Sequence, residues 1–125
     1  EPRTGSLPKS IYMTEGINED GSGDSYSPPR GIEAHGLAMG LPVLLPEQRP
    51  IVETMWSQGP GTETLATGEI TGNVAGGQAT GLLTQWAVPD GSDGHFVVFD
   101  VSAARRQSTN FLKSLSAGTI GKVSP

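Results

Sequence analysis

The chain contains no cysteine, which excludes disulfides and thiolate metal sites and tells against a small secreted domain held by covalent staples. It has no apolar run of about 18 residues, so no segment reads as a membrane-spanning helix. Basic residues are few: 8 Lys and Arg face 13 Asp and Glu, a net charge of −5. Clustered cations for phosphate contacts are therefore missing, and nucleic acid is not an expected partner. Arg105-Arg106, the one basic pair, reads as a solvated helix face. Aromatics make up 6% and apolar residues 34% of the chain, so a monomeric core would be lean and oligomer contacts would add to its stability.

Catalytic and metal signatures are also sparse. No Gly-x-Ser-x-Gly elbow occurs, and the only imidazoles are His35 and His95, both read as surface or hydrogen-bonded side chains. Asp90, Asp93 and His95 lie close enough in sequence to share an ion, but their Asp-Gly pairs are better read as turn chemistry. The acidic stretch Asp20 to Asp24 lacks the Glu that closes a calcium loop. Gly59-Pro60-Gly61 lacks the lysine of a phosphate loop. No enzyme activity, cofactor or metal is expected.

What the chain does have is an uneven layout. Residues 1–30 carry four prolines, four glycines and a polar run from Asn18 to Ser25, with Leu7, Ile11, Tyr12, Met13, Ile17 and Tyr26 as their sizeable apolar groups. Ordering such a segment costs roughly 1–2 kcal/mol per residue, more than its own apolar burial offsets. It reads as an extended arm, ordered on a partner, ahead of a domain at 31–125. Ile11, Tyr12, Met13, Ile17 and Tyr26 are the candidate anchors of that arm, and Pro28, Pro29 and Arg30 its hinge.

The domain reads as mainly β with one short helix. Leu41–Leu45 and Ile51–Trp56 are β-rich runs joined by Glu47-Gln48-Arg49 as a hairpin. Thr62 to Gly77 reads as a long loop. Ala79–Val88 is a strand, and Asp90–Gly94 turns into a second strand over His95–Val101 as a hairpin partner. Ser102–Leu115 is the helical candidate, with Ser108 or Thr109 as a cap and Phe111, Leu112 and Leu115 on one face. Gly118 ends it, and Thr119–Val123 is a short last strand. Trp56, Trp86, Phe96 and Phe99 are assigned to the core or to a subunit interface.

The order of several segments resembles the head decoration proteins of lambda-like tailed bacteriophages. The similarity runs through Ala38-Met39-Gly40-Leu41-Pro42-Val43-Leu44-Leu45 and Arg49-Pro50-Ile51-Val52. It continues with Gly77-Gln78-Ala79-Thr80-Gly81-Leu82-Leu83, then Phe96-Val97-Val98-Phe99, and closes on Leu115 to Val123. The stretch Thr62 to Gly76 and the arm are both longer than the family pattern. This resemblance implies a small β-clip or barrel-like domain that forms a homotrimer at three-fold sites on the outer surface of the mature capsid. Its arm would pair with strands of the major capsid protein, and the protein would act as cement against internal DNA pressure. Such a protein would remain folded after loss of residues 1–30. Two other expectations compete: a sugar-binding β module of a tail fibre using Trp56 or Trp86, and a subunit of a pilus or sheath.

Overall fold

The computed structural model describes residues 6–51 and 65–124. Its centre is a four-stranded parallel sheet in the order β1-β5-β2-β3. β1 is Ile11–Gly16, β2 Val43–Leu44, β3 Leu65–Ala66 and β5 Gly81–Trp86. Strand β4, Ile70–Thr71, pairs antiparallel with β6, Lys122–Val123. Among the described residues three α-helices complete the fold: α1 at Pro29–Ala38, α2 at Val97–Asp100 and α3 at Ser102–Ser116.

The expectation of a mainly β domain is thereby overturned, since helix accounts for about 33% and strand for about 22%. Adjacent strand residues divide between two cores because side chains alternate across a pleated sheet. Val43 and Leu83 join Leu37 of α1 and Ile51, with Met13 and Ile32 packed against them. Leu44 and Leu82 join Phe111 of α3 and Val123, with Tyr12 packed against them. α1 and α3 therefore cover opposite faces. β5, flanked by β1 and β2, is buried from Gly81 to Gln85, as a parallel strand covered on both faces should be.

Residues 11–24 do have something to fold around within their own chain. β1 is in register with β5 from Ile11 opposite Gly81 to Gly16 opposite Trp86, and Ile17 is fully buried. This corrects the reading of 1–30 as an arm with no core. Backbone pairing and two-sided packing supply what the segment's own apolar content does not. Pro28, Pro29 and Arg30 are not a hinge but the start of α1: Pro29 stands in its first turn, where no N–H is needed. Gly40, at φ 69°, ends that helix, with Gly40 N–H bonding to Leu37 O and Leu41 N–H to Gly36 O.

Further expectations shift with the topology. β2 pairs in parallel with β5 and β3, a geometry that needs crossovers rather than a hairpin; of the proposed partner run, only Ile51 is described. His95–Val101 is a turn followed by α2, not a strand. Asp93 accepts a bond from the His95 N–H and so starts a helical turn. α3 begins at Ser102, so Ser108 and Thr109 lie inside it rather than capping it. Phe111 is buried in α3 while Leu112 is 63% exposed, because the covered stripe runs through Ala104, Gln107 and Phe111.

Gly16, at the end of β1, touches the backbone of Gly94: a Cβ at position 16 would stand 2.7 Å from the Gly94 carbonyl oxygen. Gly16→Ala is accordingly expected to lower stability by about 1–3 kcal/mol, read from urea denaturation. An unchanged midpoint would show that the two segments do not pack this closely.

Candidate functional site

Among the described residues, the carboxyl ends of β1 and β5 carry the buried polar side chains Glu15, Thr84 and Gln85. In open parallel sheets this end is where ligands are bound. Glu15 follows Met13 on the α1 side of β1 and is 1% exposed. Its Oε1 accepts a bond of 2.9 Å from Gln85 Nε2, and its Oε2 has no hydrogen-bond partner among the described residues. Gln85 Oε1 in turn accepts the backbone N–H groups of Gln48 and Arg49 at 3.0 and 3.1 Å. Arg49 Nη2 lies 3.5 Å from Oε1 of the fully buried Glu33. Burial pushes the Glu15 carboxyl up to about 7; the Gln85 bond opposes this, Glu33 and Asp24 add to it, and Arg49 pulls it down.

Beside this interior group, the loop before α1 meets the turn before α2. Asp24 Oδ1 accepts the Tyr26 and Ser27 N–H groups at 2.8 and 2.7 Å. Its Oδ2 is 3.3 Å from His95 Nδ1. A carboxylate oxygen only accepts, so in this contact the donor is His95 Nδ1. The Asp24 side chain is 5% exposed and that of His95 44%. Asp93 fixes the same turn from outside: it accepts the Ser25 hydroxyl and N–H and the His95 N–H. Those bonds, the Ser25 hydroxyl first, hold its carboxyl below the usual range.

A hollow of about 270 Å³ opens at the pair, lined by Met13, Ser27, Ile32 and Val97 together with Asp24 and His95. Tyr26 packs on His95 at a 45° tilt with ring centroids 4.8 Å apart, and Phe96 meets His95 edge-on at 5.1 Å. A second hollow of about 200 Å³ lies between Leu44, Pro46, Gln85, Trp86 and Gln107. Among the described residues no group of three or more His, Cys, Asp or Glu side chains is arranged to hold a metal ion.

The expected contact residues scatter. Ile17 is fully buried, Met13 packs against the α1-side core, and Tyr12 lies 5.3 Å from Phe111 and donates to Gln107 Oε1 at 2.9 Å. These three are internal rather than held out to a partner. Ile11 at 38% and Tyr26 at 70% remain exposed. Phe96 and Phe99 are 44% and 68% exposed, so neither is a core residue: the turn before α2 leaves Phe96 outward, and within α2 Val97 is buried while Phe99 is not. Trp86 is half-buried, its indole N–H donating to Thr84 Oγ1. Trp56 lies outside the described residues.

Of the residues that form the site, sequence reasoning named only His95 and Asp93 as candidates for chemistry, and as ion ligands. Asp24 was weighed only as the end of a calcium-like stretch and Arg49 only as part of a hairpin turn, while Glu15, Glu33 and Gln85 went unassigned. The available signal was Glu15 itself, a charge between the β-rich Ile11–Thr14 and Gly16. Compared with protein-family models, with curated proteins and with solved structures, the chain matches none.

Proposed function

We propose that this chain is a small α/β domain that binds a small molecule at the carboxyl end of β1 and moves a proton on it. His95 is the base, and Asp24 is the positioning residue that orients its ring. This replaces the expectation of a non-catalytic chain, and the observation that carries it is the Asp24–His95 pair, assembled from segments 71 residues apart. The pair has the parts that general base catalysis requires: a buried carboxylate fixed by backbone amides, an imidazole held by it, and a solvent-facing hollow.

The test uses hydrolysis of a panel of activated esters by the full chain. His95→Gln and Asp24→Asn are each expected to lower the rate by about 100-fold, with the circular dichroism spectrum unchanged and the rate's pH profile altered in Asp24→Asn. Wild-type rates in Asp24→Asn would reduce His95 to an ordinary surface imidazole and remove the proposal.

A second reading, assembly on a phage capsid as a homotrimer bound to the major capsid protein, draws support from a different place. Leu7, Leu115 and Ile120 line an open groove of about 560 Å³, and Leu7 is 84% exposed. Exposed apolar side chains gathered in one groove offer a partner surface to bury. Under this reading the grip lies in Leu7 and the end of α3, not in β1. Co-sedimentation of the chain with capsid shells at a fixed ratio is expected, and Leu7→Asp should abolish it. Failure to sediment with shells would dispose of this reading.

A further inference from the structure

We infer that the second hollow, between the carboxyl ends of β2 and β5 and the first two turns of α3, binds a neutral apolar molecule about one aromatic ring in size. This goes beyond the proton-transfer reading and does not depend on it, because this hollow and the one at His95 share no lining residue. Its volume is about 200 Å³, and among the described residues no charged side chain lines it. Leu44, Leu45 and Pro46 supply carbon from the end of β2, Ala103 from α3, and half-buried Trp86 from the end of β5. An apolar cavity of about 150 Å³ accepts benzene, so there is room here for one ring with a small substituent.

The polar residues of the lining narrow the ligand class, because their heads are already engaged. The Trp86 indole N–H donates to Thr84 Oγ1 at 3.2 Å, and the Thr84 hydroxyl to Tyr12 Oη at 3.1 Å. The Tyr12 hydroxyl donates in turn to Gln107 Oε1 at 2.9 Å, and Gln107 Nε2 ends the series on the Ser124 carbonyl at 2.8 Å. Gln85 is held by Glu15 at one end and by the amides of Gln48 and Arg49 at the other. Among the described residues that leaves the Gln48 side chain to serve a guest. A buried water needs roughly two to four polar partners, so water is poorly held here and its exchange for carbon is favourable. A charged ligand would give up its hydration and meet no counter-charge. The hollow therefore selects against ions of either sign.

Toluene, benzoate and benzylammonium present one ring with no charge, a negative charge and a positive charge. In titrations of the full chain followed by the Trp86 indole N–H and the Ala103 amide resonances, toluene is expected to give saturable shifts. It should bind at least about tenfold more tightly than either ion. Overhauser contacts from toluene to the Trp86 ring and the Ala103 methyl should place it in the hollow. Ala103→Leu, in the first turn of α3, puts a side chain into the same space and should weaken toluene binding at least about tenfold with the circular dichroism spectrum unchanged. Absence of a saturable shift in the wild-type protein, comparable affinity for the ions, or Overhauser contacts to other residues would overturn the inference, whether or not the variant folds. Unchanged toluene affinity in folded Ala103→Leu would overturn it as well.

Discussion

Between about pH 4.5 and pH 8 the protein is expected to lose about 3 kcal/mol of folding stability through one side chain, Glu15. Its carboxyl sits at 1% exposure, and its folded-state value of about 7 lies above the ordinary 4.5. In the unfolded chain Glu15 releases its proton near the ordinary value; in the folded protein it keeps the proton until about 7. Over that interval the folded state binds more protons than the unfolded one, so rising pH favours unfolding. The contribution is whole below the unfolded value and gone once pH has passed the folded value. Glu15→Gln keeps an acceptor for Gln85 Nε2 and removes the titration, so its stability should be nearly flat across the same window.

Asp20, Glu69 and Asp93 act in the opposite sense. Hydrogen bonds from Ser22, Lys122 and Ser25 respectively hold their carboxyls low. Their contribution is present above the unfolded values and lost as pH falls through the folded ones. Their slope lies on the acid side of the Glu15 window and has the opposite sign. Urea denaturation of both proteins at several pH values measures this, and parallel curves for wild type and Glu15→Gln would refute the assignment to Glu15.

Removing residues 1–24 is expected to unfold the protein. The deletion takes away β1, whose six residues are in register with β5, and with it Ile17 and Glu15 from the interior. Tyr12 also leaves its contact with Phe111, and Met13 its place against Leu83. Each large apolar side chain so lost is worth about 1.5–3 kcal/mol. β5 is further left with one side unpaired. The sum rivals the roughly 5–15 kcal/mol that holds a small domain together. The truncated chain should show no cooperative thermal transition and a collapsed amide proton dispersion. A sharp transition in the chain 25–125 would restore the view of the N-terminal segment as an appendage.

That segment shows why only part of the fold was legible. The run around Gly81–Trp86 could be read locally, because Leu82, Leu83 and Trp86 stand between the turn signals Gly77 and Pro89. Ile11–Gly16 could not, because its partner lies some seventy residues away and parallel pairing leaves no turn signal beside it. α3 announced itself through its length and Gly118. α1 did not, since Gly31 and Gly36 dilute its pattern. Gly36 is there for a contact: a Cβ would stand 3.3 Å from Leu83 Cδ2. The apolar run Phe96–Phe99 suggested a strand, and the side chain of Asp93 decided for a helical turn. The site was least legible, because Asp24 and His95 meet only once β1 and the two loops are in place.

Gln85 has one more consequence. Its carbonyl oxygen is committed to two backbone N–H groups of the segment after β2, so its amide has a single workable orientation. The NH₂ end must then face Glu15, and Glu15 Oε1 can only receive. A proton taken up by that acid is steered to the other oxygen. The main chain at Gln48 and Arg49 thus sets, through one amide, the direction in which a buried acid points its hydrogen.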